Sequence, residues 1–324
     1  MIQKKRIRLK RIKIKWGVAG CGKYLENTFL PSLELLKKSK LTSVYSKKLS
    51  RAKFIAEKFS ASEAYDDFDD FLKSDFDVLY VSSSNPDHYE QVIRAAKAGK
   101  HILCEKPLAI NAKQAKEMIE VCKANEVILT INYKFRSHPL IKKVKELIKN
   151  DYLGKIVSIY GSFNIDHTPD EFSLNRGATF DLSTHLIDLF RYFGGEIINV
   201  KGFKDNVIYN SEIEDFSNGI VEFEKSGYGY FQSSYDVAKS FNRIEITGRK
   251  GSVCIEDMFG NRTGSAKLII NLSGEAKKTF RRRVNAQLFQ LKEFQKRFLN
   301  KEKMNVTGED GLINLQLMEK LSKR

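Results

Sequence analysis

The chain has 324 residues, which is enough for two domains at the usual length of about 100–200 residues per domain. Its hydrophobic content of 42% and charged content of 30% are typical of a globular protein with a full core, and the few prolines and glycines exclude collagen-like segments. The net charge of +16 is compatible with nucleic acid or with a small phosphate-bearing ligand. Because the basic residues are spread along the chain without a nucleic-acid-binding signature, we expect a solvated basic surface and no nucleic-acid partner.

Membranes, metals and disulfide bonds are also not expected. No apolar run approaches the roughly 20 residues that a bilayer crossing needs, and the basic first residues lack the apolar core of a secretory signal. The cysteines form no CxxC pair and no Cys/His cluster; they are Cys21, Cys104, Cys122 and Cys254. We therefore predict reduced thiols, no metal site and a cytoplasmic location.

Short apolar runs alternate with amphipathic helical patterns through the first 131 residues. The predicted strands are Ile12–Val18, Leu41–Tyr45, Phe76–Ser82, His101–Cys104 and Val127–Ile131. The predicted helices are Thr28–Lys38, Ser50–Phe59, His88–Ala98 and Asn111–Ala124. This rhythm predicts βαβ units with a parallel sheet.

Strands joined by short turns dominate the second half and predict a mostly antiparallel sheet. They are Ile156–Phe163, Ile197–Lys204, Ser217–Glu224, Gly227–Ser234, Asn242–Thr247 and Leu268–Leu272. Helical patterns cover Pro139–Asn150, Phe180–Phe193, Asn285–Phe298 and Gly311–Ser322. The change of pattern predicts one domain over residues 1–133 and a second over 134–324.

A glycine turn follows the first strand and opens a helix. In Gly20-Cys21-Gly22, the first glycine permits a tight turn and the second lets the backbone approach a pyrophosphate at the helix N-terminus. Leu25 stands at the third glycine position of this fingerprint, so a simple strand–helix turn remains an alternative. The candidate cofactor-binding residues of the turn are Gly20, Cys21, Gly22, Lys23 and Tyr24.

The end of the second strand favours NADP over NAD. An NAD site carries Asp or Glu here for the ribose hydroxyls, whereas this chain has Ser46 and Lys47, with Arg51 just beyond. The cations would neutralise a 2′-phosphate. The alternative is that Lys47 and Lys48 are solvated loop residues.

Four segments together resemble the Gfo/Idh/MocA family of glucose–fructose oxidoreductases and inositol dehydrogenases. They are GVAGCGKYL, SSSNPDHYEQVIRAAKAGKHILCEKPL, NYKFRSHP and GATFDLSTHLIDLFRYFGG. The resemblance implies an α/β fold, with an N-terminal Rossmann domain and a C-terminal α/β domain that has a large, open, mostly antiparallel sheet. It also implies a homodimer or homotetramer formed through that sheet, and a final helix able to pack back on the first domain.

The resemblance also implies positions for the site residues. It puts Glu105-Lys106-Pro107 beside the nicotinamide, and Asp181 and His185 opposite, on the second domain. Further cofactor-binding residues are Ser83, Asn85 and His88, with Asn85 or Asp87 alternatively the N-cap of a helix. The implied substrate-binding residues are Lys106, Tyr133, Arg136, Asp181 and His185, with a domain bridge as the alternative role of Arg136.

Hydride transfer at a secondary alcohol needs a group that accepts or donates the hydroxyl proton. His185 suits that task, and Asp181 lies four residues earlier, on the same face of a helix. Lys106 can donate to the substrate oxygen and stabilise alkoxide charge. We take Lys106, Asp181 and His185 as the catalytic residues.

The run before this helix, Asn175-Arg-Gly-Ala178, departs from the family pattern and adds Arg176 as a candidate ligand of a substrate phosphate or carboxylate. The sequence as a whole predicts an NADP-preferring oxidoreductase that acts on a small sugar-like substrate: a sugar, a cyclitol or a nucleotide sugar. An imine or biliverdin-type reductase and a non-catalytic, cofactor-sensing regulatory protein remain alternatives. The three catalytic candidates argue against the regulatory protein.

Overall fold

A six-stranded parallel sheet forms the first half of the computed structural model, which describes residues 13–166, 177–209, 213–259 and 265–323. Its strands are β1 (Ile14–Ala19), β2 (Ser39–Tyr45), β3 (Glu63–Tyr65), β4 (Val78–Val81), β5 (His101–Cys104) and β6 (Leu129–Ile131). The spatial order is 3-2-1-4-5-6, the doubly wound Rossmann order, as predicted. The order reverses between β1 and β4, so a ligand crevice is expected at their carboxyl ends.

Helices cover both faces of this sheet. A π-helical turn at Leu25–Phe29 runs into α1 (Leu30–Glu34). The other helices are α2 (Leu49–Lys58), α3 (Phe68–Lys73), α4 (Asn85–Lys97) and α5 (Ala112–Ala124). The sequence analysis missed β3 and α3, because three and six residues are too few to establish a hydrophobic period.

A nine-stranded sheet forms the second half. Its strands are β7 (Ile156–Asp166), β8 (Ile197–Asp205), β9 (Phe216–Phe223), β10 (Tyr228–Ser234), β11 (Asp236–Gly248), β12 (Gly251–Glu256), β13 (Ser265–Leu272), β14 (Lys278–Arg283) and β15 (Ser322–Lys323), in the order 14-13-12-11-7-10-9-8-15. The pairs are antiparallel except β7 with β10 and β8 with β15, which confirms the mostly antiparallel prediction. The analysis missed β12, and it missed β14 because that basic edge strand lacks an apolar alternation.

The second sheet carries its own helices. After a short 3₁₀ segment at Lys134–Ser137 come α6 (Pro139–Lys149) and α7 (Thr184–Gly194), and α7 continues directly from a π-helical turn at Thr179–Ser183. Glycines let α7 approach the sheet: a Cβ on Gly161 or Gly229 would lie within 3.0 Å of the Phe190 ring. We call the first sheet with its helices the N-terminal domain, and the second sheet with its helices the C-terminal domain.

The last two helices, α8 (Ala286–Leu299) and α9 (Gly308–Glu319), return to the N-terminal domain. Phe294 of α8 packs on Trp16 of β1, with ring centroids 5.0 Å apart. On α9, a Cβ at Gly308 would meet Ile119 and Leu129 of that domain. The core around the first sheet therefore contains residues from both sides of position 133, and a single division there stays a prediction. Within the described residues, no helix is long and apolar enough to cross a bilayer.

Candidate functional site

A cavity of about 810 Å³ opens at the carboxyl ends of the first-sheet strands. On the N-terminal side it is lined by predicted cofactor-binding residues: Gly20, Cys21, Gly22, Lys23, Tyr24, Ser46, Lys47, Ser83, Asn85, Glu105 and Lys106. Facing residues include Lys134, Phe135, Phe163, Asp181, Leu182 and His185. Its size and its mixture of apolar walls and a few polar groups are typical of a small-molecule site. In the described parts of the chain, no cluster of His, Cys, Asp or Glu side chains has the geometry of a metal site.

The glycine turn has the geometry of a dinucleotide cradle. Gly20 has a φ of +90°, and a Cβ there would lie 2.3 Å from the backbone nitrogen of Ser83, so only glycine fits. A Cβ on Gly22 would meet nothing within 4 Å, which leaves its backbone open to the cavity. Asn85 also lines the cavity, and its buried Oδ1 has no hydrogen-bond partner among the described residues. The open backbone and the unsatisfied polar atom fit a bound dinucleotide.

The end of β2 places Lys47 at the cavity and Arg51 away from it. Lys47 Nζ lies 2.7 Å from Asp87 Oδ1, a carboxylate at the start of α4 that the sequence analysis did not assign to the site. Arg51 donates to the Cys21 carbonyl at 2.9 Å and pairs with Glu26, and it does not line the cavity. In this arrangement the Arg51 guanidinium braces the glycine turn, and its role as a direct cofactor ligand stays a prediction.

The N-cap of α4 is not one of the two residues that the sequence analysis offered for it. The N-cap is Ser84, and neither Asn85 nor Asp87 takes that position. His88 is fully buried; its Nδ1 lies 3.1 Å from the Pro107 carbonyl and its Nε2 lies 3.2 Å from the Ser83 carbonyl. His88 does not line the cavity but joins two loops that do, and its contact with the cofactor stays a prediction.

The Glu105-Lys106-Pro107 segment leaves the buried strand β5 and turns into the cavity. Glu105 accepts hydrogen bonds from the Tyr80 hydroxyl and from Asn132 Nδ2, the latter at 2.6 Å. Lys106 Nζ reaches across to the C-terminal domain, where it donates to the Asp181 carbonyl at 2.8 Å and forms an ion pair with the Asp181 carboxylate. The strand end thus fixes an ammonium between the two domains.

Asp181 and His185 face the same cavity, although they do not share a regular α-helix. Asp181 lies on the π-helical turn, and its Oδ2 accepts from the Tyr235 hydroxyl at 3.1 Å. His185 is nearly buried against the edge of Phe135, with ring centroids 4.8 Å apart. The π turn corrects the prediction of an uninterrupted helix; such turns are common at functional sites.

The environment keeps His185 neutral. Burial lowers its pKa well below its usual range, the positive charges of Lys106 and Lys134 lower it further, and Asp181 acts in the opposite direction. A neutral imidazole at pH 7 can accept a proton.

Two predicted substrate-binding residues lie outside the cavity. Tyr133 is buried, with its hydroxyl 2.9 Å from Thr184 Oγ1. Arg136 forms a two-pronged contact with Asp188, at 2.9 and 2.7 Å, and also binds Asp310 at 3.1 Å. Neither side chain lines the cavity, so the alternative of a bridge fits Arg136, and the assignment of both residues to substrate stays a prediction. The prediction for Arg176 lies outside the described residues.

The sequence analysis did not predict Lys134, which directly follows Tyr133, as a residue of the site. Its half-buried side chain lines the cavity, and Nζ donates to the Tyr24 hydroxyl at 3.0 Å. Burial lowers the pKa of Lys134 to about 8; Glu105 and Asp181 oppose this effect, and Lys106 adds to it. Lys134 belongs to the segment NYKFRSHP, which the sequence analysis had singled out. Which side chains of that segment face the cavity depends on the 3₁₀ segment that begins at Lys134, and the sequence pattern did not predict that segment.

Comparison with known proteins agrees with this architecture. A family model described as "Oxidoreductase family, NAD-binding Rossmann fold" matches residues 14–133, and a "GFO/IDH/MocA C-terminal domain" model matches residues 141–254. The chain belongs to the Gfo/Idh/MocA family of oxidoreductases. Its N-terminal domain therefore binds a nicotinamide dinucleotide, NAD or NADP.

Individual relatives cover most of the chain. Myo-inositol 2-dehydrogenase of Thermotoga maritima is 28% identical over 320 residues, 93% of each chain. Scyllo-inositol 2-dehydrogenase (NADP(+)) IolU of Bacillus subtilis is 28% identical and covers 75% of this chain and 76% of its own. The 3-ketoreductase KijD10 of Actinomadura kijaniata, solved with NADP and TDP-benzene, has the same fold: its TM-score is 0.83 at 23% identity, with 96% of this chain and 98% of that chain covered.

Proposed function

We propose that this protein transfers a hydride between NADP(H) and a ring carbon that carries a hydroxyl or keto oxygen, in a sugar, cyclitol or nucleotide sugar. The observation that carries the proposal is the ion pair between Lys106 of one domain and Asp181 of the other, inside the cavity that His185 also lines. The names of two relatives, inositol 2-dehydrogenases at 28% identity, support a polyhydroxylated ring as the substrate.

The nicotinamide supplies or accepts the hydride, and the side chains around it handle the proton and the charge. Lys106 donates to the reacting oxygen and stabilises negative charge that develops there. The neutral imidazole of His185 takes the hydroxyl proton during oxidation and returns it during reduction. Asp181, held between Lys106 and Tyr235, orients the ammonium.

Replacing Lys106 tests these roles. We expect Lys106→Met to reduce turnover by about 10²–10⁴-fold, while NADPH still binds, as measured by fluorescence titration. The matched control is Lys116→Met, an exposed lysine on α5, which should keep full turnover. A panel of sugars, cyclitols and cyclic imines monitored at the nicotinamide absorbance band separates the main proposal from an imine reductase. Normal turnover in Lys106→Met would contradict the catalytic assignment.

The preference for NADP rests on Ser46 and Lys47 at the cavity rim. The Lys47 side chain is 69% exposed and its only ion-pair partner in the described chain is Asp87, so it is able to turn toward a 2′-phosphate. We expect Lys47→Ala to weaken NADPH binding more than NADH binding. An equal loss for both cofactors would favour the alternative that Lys47 is merely a solvated residue.

We also propose a homodimer or homotetramer formed through the outer face of the second sheet. Tyr160, Tyr230 and Ile220 align across β7, β10 and β9 with exposures of 40, 44 and 50%. Apolar rows of this kind are typical of interfaces. Light scattering of wild type and Tyr230→Asp tests this: a monomeric wild type would exclude the proposal.

The four free thiols support a reducing compartment such as the cytoplasm.

A further inference from the structure

Four lysines line the cavity, and two of them, Lys106 and Lys134, act on His185 and differ in their counter-ions. Lys106 is paired with Asp181. Lys134 Nζ has the Tyr24 hydroxyl as its hydrogen-bond acceptor at 3.0 Å, and within the described ranges it has no carboxylate oxygen within 4.0 Å. Its ammonium also lies over the rings of Tyr24 and Phe135, 4.8 and 5.3 Å from their centroids.

The acidic groups nearby are already engaged with other partners. Glu105 accepts from Tyr80 and Asn132, and Asp181 holds Lys106 and Tyr235. The Tyr24 hydroxyl donates its proton to Gln287 Oε1 at 2.9 Å, so it can serve Lys134 only as a neutral acceptor. The donors to Glu105 are neutral, so Glu105 as well as Asp181 attracts the Lys134 ammonium, but within the described ranges neither carboxylate forms a direct ion pair with it.

A half-buried cation without a direct ion pair has lost hydration that nothing in direct contact fully replaces, and here that cation lies at the wall of a ligand cavity. Burial lowers the pKa of Lys134 to about 8, which still leaves the side chain mostly protonated at pH 7. An anionic ligand group beside Nζ would compensate for the lost hydration and complete the ion pair.

We propose that Lys134 binds an anionic group of the substrate, so that the enzyme acts on a sugar or cyclitol derivative that carries a carboxylate or a phosphate. This inference rests on the proposed function and narrows its substrate class. The position of Lys134 favours the substrate over the cofactor 2′-phosphate, since its ammonium lies over the Phe135 ring that packs on His185, whereas the 2′-phosphate is proposed to lie at Lys47.

Matched substrate pairs test the proposal. We would measure kcat/KM with NADP⁺ for glucuronate against glucose, galacturonate against galactose, and glucose 6-phosphate against glucose. The wild type should prefer one type of anionic member by tenfold or more, and which type it prefers distinguishes carboxylate from phosphate. Lys134→Met should abolish that preference through a higher KM, with the affinity for NADP⁺ unchanged.

Two results would overturn the proposal. One is an equal loss in Lys134→Met for the charged and neutral members of every pair, which would mark Lys134 as structural. The other is a parallel loss of NADP⁺ affinity, which would mean that the ammonium serves the cofactor.

A binding measurement separates this inference from the proposed function. Calorimetry of the NADP⁺-loaded protein with the preferred anion should show an affinity that falls about tenfold for each pH unit above pH 8, as Lys134 loses its proton in the field of Glu105, Lys106, Asp181 and Tyr24. Lys134→Arg should keep the affinity above pH 8, because arginine stays charged. Retained anion binding with no hydride transfer from any sugar to NADP⁺ would leave the anion-binding role of Lys134 standing and remove the proposed function. Binding that ignores the charge of residue 134 would overturn the inference.

Discussion

At the scale of single residues, the basic groups Lys106 and His185 line the same cavity but have different electrostatic environments. Lys106 keeps a carboxylate partner, whereas His185 is buried beside two ammonium groups and is held neutral. This division is typical of active sites, where the environment separates the groups that donate protons from those that accept them. It also predicts how activity depends on pH.

We expect kcat/KM for the oxidation of a neutral sugar to be constant between about pH 6.5 and 7.5, because the pKa of His185 lies well below 6.5 and the imidazole is already neutral there. Activity should fall only at lower pH, as His185 gains a proton. A pH–rate profile of wild type against His185→Asn checks this, since the variant should lose most of the rate together with the acidic limb. An acidic limb centred above pH 6.5 would contradict the environment described for His185.

At the scale of secondary-structure elements, the two glycines of the turn between β1 and the first helix have different roles, one in the fold and one in cofactor binding. Gly20 is required by the close approach of the Ser83 backbone, whereas Gly22 faces open space. We expect Gly20→Ala to destabilise the fold by about 1–3 kcal/mol or more. Gly22→Ala should change the free energy of unfolding by less than about 0.5 kcal/mol. It should nevertheless weaken cofactor binding, because its methyl group enters the cavity.

Urea unfolding and NADPH titration of both variants separate the two effects. Equal destabilisation by the two substitutions would contradict the distinction between them.

The start of α6 predicts a pH-dependent stability. His138 is its N-cap, accepts from the Leu140 amide at 3.2 Å, and is buried, which lowers its pKa to about 4. Between pH 6.5 and 4, His138 binds a proton in the unfolded chain but not in the folded state. The stability that the neutral His138 contributes is therefore fully present above pH 6.5 and is lost as the pH falls toward 4. The loss approaches about 3 kcal/mol at pH 4.

His138→Asn keeps a capping side chain that does not titrate. Its free energy of unfolding, measured by urea at several pH values from 7 to 4.5, should depend less steeply on pH than that of the wild type. Identical slopes would show that His138 does not contribute in this way.

At the scale of the whole molecule, a buried charge network joins the C-terminal domain to the returning helix α9. Arg136 binds Asp188 of α7 and Asp310 of α9, and Arg191 of α7 also lies 3.3 Å from Asp310. The same return brings Gln287 of α8 to Tyr24 and Asn132 at the cavity. The last two helices therefore support the site as well as the fold.

We expect Arg136→Met to lower the free energy of unfolding by about 3–5 kcal/mol, because it leaves Asp188 buried without its cation. Turnover per folded molecule and KM should stay within about twofold of wild type. Arg297→Met, which removes a partly exposed contact to Glu293, is the matched control and should cost about 1 kcal/mol or less. A large increase in KM for Arg136→Met without loss of stability would instead support the substrate-binding role predicted for Arg136.

The sequence by itself determined the two kinds of sheet and the glycine turn, and it predicted that Lys106 and His185 face one cleft, since these follow from hydrophobic periodicity, turn chemistry and the motifs of the family. The ion pair of Lys106 with Asp181 came only from the tertiary structure. Only the tertiary structure decided which way the side chains after β6 point, so that Lys134 faces the cavity while Tyr133 and Arg136 turn away from it. It also decided the pairing of Lys47 with Asp87 and the return of α8 and α9. The physical reason is that these features depend on contacts between distant positions, such as Arg136 with Asp310, 174 residues apart, which no local pattern encodes.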